Sequence, residues 1–323
     1  MSDGGATSLA APASGAVTGG LLAVHAHPDD ETLATGALLA AWAAAGLPVT
    51  VVTATRGERG EVIPAALHHL EGDGAALAAH RTRELAAALA ALGVGDQVFL
   101  DTVPEGPVAA SYQDSGMVWL GTARAGTGEH VPAGAFVGVP LDEAARRLAA
   151  VLRARRPALV VTYDPEGGYG HPDHVRVHEV VTRALQMTAG AERPPTVWWR
   201  RTGRSALASG YRALRGDAVR SALGRRYDDL VLPDPDGPYP AVAVDDDTLD
   251  VRVELAPVRD RVLAALRAHA TQVQAVRAVD GEPALVGCYA LSDGVLQPLL
   301  PAEGYRHVSG PRLTVPAKVR QLP

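Results

Sequence analysis

Hydrophobic positions along the first two hundred residues fall into two rhythms. Short unbroken apolar runs at 21–26 (LLAVHA), 48–54 and 158–163 (ALVVTY) have the length and β-former content of buried strands. Longer stretches between them carry apolar residues at helical spacing. The pattern predicts strand 21–26, helix 31–45 and strand 48–54, a βαβ unit, with Gly46 ending the helix in a left-handed cap and Pro48 stopping its continuation. Residues 81–92 (RTRELAAALAAL) form a strong helix closed by Gly93, followed by a short strand at 97–100. A helix over 142–155 is expected to start at Asp142 as N-cap and to end on Arg153, Arg155 and Arg156, whose charge suits a helix C-terminus. Another runs from about 173 to 187.

Alternating strands and helices of this kind predict an α/β fold, a Rossmann-like, mostly parallel sheet with helices on both faces. The remaining segments divide the chain. Residues 1–20 are rich in Gly, Ala and Ser and read as a disordered leader without the basic and apolar regions of a signal peptide. Residues 21–190 read as the catalytic core, within which 101–138 form a long loop region. Residues 191–248 shift to Arg, Trp, Pro and Asp and read as an insertion or lid-like excursion. Residues 249–323 return to order, with strand 249–254, helix 257–270 and a strand-like 285–291, and are expected to complete the same domain. No internal repeat is visible.

Composition narrows the partners. At 323 residues with a formal charge of −6 and a pI near 6.0, the chain gives no reason to expect nucleic acid or an anionic membrane. No run of about 18 uncharged apolar residues predicts a transmembrane helix. The single cysteine, Cys288, lies in an apolar strand and reads as core; it fits a reducing cytoplasm.

The chemistry lies in two short strings, His27-Pro28-Asp29-Asp30-Glu31 and His171-Pro172-Asp173-His174, each placed after a predicted strand. Ligands of open parallel sheets gather outside the carboxyl ends of the strands, so strings far apart in sequence can meet there. Together they offer two imidazoles and one carboxylate to a divalent metal with a position left open. His27 and Asp30, three apart at a helix start, supply two ligands, and either His171 or His174 the third. Asp29 is then free as general base toward a water activated by the ion, and the unused histidine can donate to a developing oxyanion.

Each string alone has a plainer reading. HPDD could be a helix cap, and Gly167-Gly168-Tyr169-Gly170 a turn. Two matched strings after two strands make the plain reading much weaker. His25, inside the strand, reads as a buried hydrogen-bonded neighbour, and His68, His69 and His80 as solvated. Trp198 and Trp199 read as packing residues. Walker A, H-E-x-x-H and G-x-S-x-G strings are missing, as is G-x-G-x-x-G after the first strand.

On these strings the chain resembles the PIG-L/LmbE-like zinc-dependent N-acetylglucosamine deacetylases. It is most similar to their mycothiol-pathway branch, which deacetylates N-acetylglucosaminyl-inositol. The likeness extends to TRGERGEVI (55–63), Arg81-x-x-Glu84, Gln113-Asp114-Ser115-Gly116-Met117, TYDPEGGYGHPDH (162–174) and the stretch near 285–305. It implies one divalent metal per chain, Zn²⁺ before Fe²⁺, held by His27, Asp30 and His174, with Asp29 as general base. His171 would polarise the amide carbonyl, Asp173 would set its orientation and charge, and Tyr169 would help at the oxyanion or leaving group. Arg81, Asp114, Met117 and Glu61 would hold glucosamine or inositol hydroxyls of a small-molecule substrate. Arg56 and Arg59 depart from the usual string, and Arg59 resembles the sister mycothiol S-conjugate amidases. The rival within the same chemistry is therefore amide cleavage of such conjugates or of another amino sugar. The rival from another class, a non-catalytic sugar-binding protein, leaves the open metal position and the spare Asp29 without a use.

Overall fold

In strand β1 (Leu21–His25) side chains alternate between two buried faces, and the computed structural model of the protein puts a hydrophobic core on each. The structure describes residues 19–105, 111–119, 125–126, 131–190, 192–313, 315–316 and 319–321. The leader expected over 1–20 lies outside them except for its last two residues. The chain continues through α1 (Asp30–Ala44), β2 (Val49–Thr53), α2 (Gly74–Leu92) and β3 (Asp96–Phe99). A small pair, β4 (Val118–Trp119) with β5 (Ala125–Gly126), precedes α3 (Leu141–Arg155), β6 (Leu159–Thr162), the short α4 (Gly167–Gly170) and α5 (Pro172–Met187). Then come β7 (Thr196–Gly203), α6 (Arg204–Ala213), α7 (Asp217–Leu223), β8 (Ala243–Val244), β9 (Val251–Glu254) and α8 (Arg259–Ala268). Strands β10 (Gln274–Ala278), β11 (Gly287–Ala290), β12 (Leu296–Leu299), β13 (Ala302–Ser309) and β14 (Val319–Gln321) close the chain.

The main sheet runs in the order β14-β9-β13-β7-β6-β1-β2-β3, with β8 beside β7. Its centre, β3-β2-β1-β6-β7, is parallel, while β13, β9 and β14 extend it antiparallel. Odd positions of β1 and β2 (Leu21, Ala23, Val49, Val51) join Leu159 and Val161 against α1, α2 and α8. The alternate positions (Leu22, Val24, Val52, Val160) pack on α3 and α5. A third cluster holds α6 and α7 against the antiparallel sheet β10-β11-β12, and Cys288 is buried within it. Full burial of such side chains is worth about 1.5–3 kcal/mol each. Among the described residues, no helix is long and apolar enough to cross a membrane.

Three local expectations change. Helix α2 begins seven residues before Arg81, because the Asp73 side chain accepts the N–H of Ala76 and caps it there. Asp142 is not the cap of α3; Pro140 holds that position and Asp142, in the first turn, pairs with Arg183 of α5 (2.7 Å). Within the expected excursion over 191–248, β7 is a strand of the main sheet. Its Arg200 donates from Nε to the Ala34 carbonyl in α1 (2.7 Å), and Glu303 of β13 accepts the Ala37 and Leu38 N–H groups (2.6 and 3.1 Å). Helix α1 is thereby tied to the C-terminal strands along its middle.

Candidate metal centre

Strands β1 and β6 are parallel neighbours, so the strings that follow them emerge on one edge of the sheet. The order reverses here, β2 lying on one side of β1 and β6 on the other, which is where a doubly wound sheet opens a crevice. His27, Pro28 and Asp29 form the turn into α1; His171 caps α5 with Pro172 at its first position. Ligand atoms of His27, His171 and His174 lie within 4.8 Å of one another, and a second group joins His27 and His171 to Asp114 and Asp173. Asp30, in neither group, lies between His27 and His174, with Oδ2 3.2 Å from His27 Nδ1 and Oδ1 3.3 Å from His174 Nε2. Asp30 Oδ2 also accepts the His27 N–H (2.9 Å).

The two histidines of the second string differ in what their Nδ1 atoms meet. His174 Nδ1 faces the Gly167 carbonyl at 3.2 Å, an acceptor only, so Nδ1 carries the proton. In a neutral ring its buried Nε2 keeps a lone pair, and it stands 3.3 Å from Asp30 Oδ1. That is the state of a metal-ligating imidazole oriented by a backbone carbonyl. His171 Nδ1 instead accepts the Asp173 N–H (3.1 Å), which in a neutral ring leaves the proton on Nε2. Burial and the neighbouring His27 and His174 hold His171 well below the usual imidazole range, so the neutral ring is the expected form. The residues therefore fit a divalent ion: two buried imidazoles, each with a nitrogen facing the Asp30 carboxylate that lies between them. Burial works against a charge on Asp30, yet the facing His174 and His27 hold its carboxyl well below the ordinary range.

Asp29 sits beside this group at φ 136°, a backbone region that an L residue adopts only under constraint. Its carboxylate accepts from Arg81 Nη2 (3.1 Å). Burial raises its pKa, Arg81 opposes and Asp30 adds to the rise, leaving it at about 6. A carboxylate poised there is suited to proton transfer near neutrality.

The candidate residues His27, Asp29, Asp30, Tyr169, His171, His174, Arg81, Asp114, Met117 and Glu61 all line one cavity of about 880 Å³. Asp173 does not. It is fully buried behind His27, whose Nε2 lies 3.2 Å from Asp173 Oδ2. Expected to orient His171, it donates its backbone N–H to His171 Nδ1, while its carboxylate accepts from Ser115 and faces His27. Arg81, expected on substrate hydroxyls, is 3% exposed and donates to the Gly57 and Pro28 carbonyls (both 2.7 Å) as well as to Asp29. Asp114 Oδ1 lies 3.7 Å from His27 Nε2 and accepts the Gly116 N–H. Tyr169 packs edge-on to His174, 5.0 Å between ring centres, and burial pushes its hydroxyl well above the usual range.

Sequence reasoning missed Tyr163, Ser115 and His269. Tyr163 stacks flat on His174 (4.1 Å, 11°) and its hydroxyl accepts the Ala26 N–H, but it reads as the last residue of an apolar strand. Ser115 lies in the string already noted around Asp114 and could have been found there. His25 is buried with Nε2 3.0 Å from Thr35 Oγ1, and Trp198 packs on Tyr305 in the core, as read.

Fold and site together define an α/β protein with a buried His/Asp group, able to hold a metal, at the carboxyl edge of a mostly parallel sheet. The chain belongs to the PIG-L family, whose model, described as GlcNAc-PI de-N-acetylase, matches residues 22–185. Similar curated proteins carry the name 1D-myo-inositol 2-acetamido-2-deoxy-alpha-D-glucopyranoside deacetylase. The one from Kineococcus radiotolerans is 47% identical over 296 residues, covering 90% of this chain and 77% of its own length. That from Streptomyces avermitilis is 43% identical over 304 residues, covering 90% and 92%. A third, from Actinosynnema mirum, is 43% identical over 292 residues, with the same coverage.

Proposed function

We propose that this protein hydrolyses the N-acetyl group of N-acetylglucosaminyl-inositol, giving glucosaminyl-inositol and acetate, a step of mycothiol biosynthesis. His27, Asp30 and His174 would hold one divalent ion, Zn²⁺ before Fe²⁺. The observation that carries the reading is a His174 Nε2 set against the Asp30 carboxylate (3.3 Å) beside a proton-bearing His171 Nε2 in one cavity, a candidate ligand next to a donor. When bound, the ion supplies Lewis-acid polarisation of the acetyl carbonyl and lowers the pKa of water toward neutrality.

The chain's own residues do the rest. Asp29 accepts the proton of the attacking water as its oxygen bonds to the acetyl carbon. His171 Nε2–H donates to the oxygen that becomes negative, with the Tyr169 ring packed beside it. As the carbon–nitrogen bond breaks, the amine nitrogen takes the proton that Asp29 accepted from water, and acetate leaves, while His171 stays a neutral hydrogen-bond donor. Arg81 holds the Asp29 carboxylate, while Asp114, Met117 and Glu61 face the sugar and inositol from the cavity wall.

The test is release of primary amine from N-acetylglucosaminyl-inositol by the purified protein, beside a mycothiol S-conjugate, with chelator and with metal restored. Chelator-sensitive turnover that favours the acetylated sugar supports the reading. Preference for the conjugate moves the protein to the amidases, and turnover indifferent to complete metal removal overturns the metal's part.

A further inference from the structure

Glu31 ends the first string but lines no part of the cavity, and its side chain is fully buried. Its Oε2 accepts the Asp29 N–H (3.0 Å). Its Oε1 accepts the Thr32 hydroxyl (2.5 Å) and lies 2.7 Å from His269 Nε2, also fully buried. The residue whose N–H it takes is the strained one: Asp29 at φ 136°, ψ −33°. Such a conformation costs on the order of 1–3 kcal/mol and persists only where its surroundings over-determine it. His269 follows α8, more than eighty residues past the family-matched segment 22–185.

The residues after His269 grip the other support of Asp29. Thr271 donates its N–H and its hydroxyl to Glu84 (2.8 and 2.5 Å). Glu84 lies one turn along α2 from Arg81, which holds the Asp29 carboxylate and the Pro28 carbonyl. The Thr271 carbonyl accepts the Ile63 N–H (3.0 Å), and Gln272 Nε2 donates to the Glu61 carbonyl (2.7 Å). One short segment thus reaches both helices that fix Asp29 and the loop that carries Glu61.

We propose that the segment His269-Ala270-Thr271-Gln272 is a positioning bracket for Asp29. His269 acts through Glu31 on the Asp29 backbone, and Thr271 acts through Glu84 on the helix that presents Arg81. The proposal rests on the reading of Asp29 as the base. Neither residue touches the cavity, so both are positioning residues. If these contacts only stabilised the fold, their loss would lower the yield of folded protein without changing the kinetics of what folds.

The experiment compares His269→Ala, His269→Gln and Thr271→Val for kcat, KM and metal content, with a crystal structure of His269→Ala. Misplacing a catalytic group by about 1 Å can cost a hundredfold. We therefore expect kcat to fall about thirtyfold in His269→Ala, with KM within about threefold and wild-type metal content. Gln can still donate to Glu31 and is expected to restore kcat to within about fivefold. In the crystal, Asp29 should leave the positive-φ region. An unchanged kcat, a loss shared equally by Ala and Gln, a parallel loss of metal, or Asp29 still near φ 136° would each overturn the bracket. If His269→Ala does not fold, Thr271→Val decides by the same split of kcat against KM. If the wild type shows no deacetylation, the functional reading fails separately, and the backbone at Asp29 still decides the inference.

Discussion

Two identical side chains three residues apart, His171 and His174, differ in the backbone atom opposite each Nδ1. A backbone N–H faces one and a backbone carbonyl faces the other. On the proposed reading this difference makes His174 the ring with a lone pair at Nε2 and His171 the one with a proton there, and it is invisible in the string HPDH, where either histidine serves as third ligand. It depends on Gly167, whose φ of +66° and lack of a Cβ let it sit against α5; a Cβ there would lie 2.7 Å from the Val175 nitrogen. The consequence is a pair of variants with opposite signatures. His174→Ala should lose its metal by elemental analysis after dialysis. His171→Ala should keep the metal while kcat falls about 10²–10³-fold, the usual loss for one oxyanion donor. A metal-free His171→Ala beside a metal-loaded His174→Ala would exchange the two assignments.

At the scale of elements, what could be read from the sequence follows from burial. Strands β1, β2 and β6 are covered on both faces and read as continuous apolar runs, so their βα units and the strings at their ends are legible. Strand β7 is not. Its Arg200 is spent on the Ala34 carbonyl and its Arg201 on buried Asp164 (3.1 Å), so charges inside the sheet break the apolar run. The support of Asp29 is illegible for the same kind of reason, since Glu31, Glu84 and His269 are buried polar groups whose contacts, Glu31 with His269 and Glu84 with Thr271, join residues far apart along the chain. The turn after β2 shows how closely these elements meet. Gly57 has φ +65°, and a Cβ on it would lie 1.9 Å from Arg81 Nη1. Gly57→Ala must therefore displace the guanidinium from Asp29. We expect roughly a tenfold or greater loss of kcat/KM, with destabilisation of about 1–3 kcal/mol from backbone strain, read by kinetics and thermal melting. Unchanged kinetics would mean that the Arg81–Asp29 contact contributes nothing to turnover.

For the whole molecule, the question is whether residues 21–190, which carry every candidate ligand, form a unit that stands alone. The packing argues otherwise. The face of the sheet that buries Leu38, Trp42, Leu85 and Leu89 is closed by Val258, Val262, Leu263 and Leu266 around α8, and its far end by Trp198, Val251, Val253 and Tyr305. Helix α1 is further anchored at mid-length by Arg200 and Glu303. Removing everything after residue 190 would expose these apolar side chains together, a loss on the order of 1.5–3 kcal/mol for each one fully uncovered, and a domain's whole stability is only about 5–15 kcal/mol. The chain cut at 190 is therefore expected to show no cooperative thermal transition and to bind a hydrophobic dye. A sharp melt with dispersed amide resonances would instead establish an autonomous core. Even that core would lack His269 and Thr271, so its Asp29 should relax from the constrained backbone and turnover should stay low with metal bound. Folding and activity of the fragment are thus separate readings: the first tests how the sheet is covered, the second how the base is held.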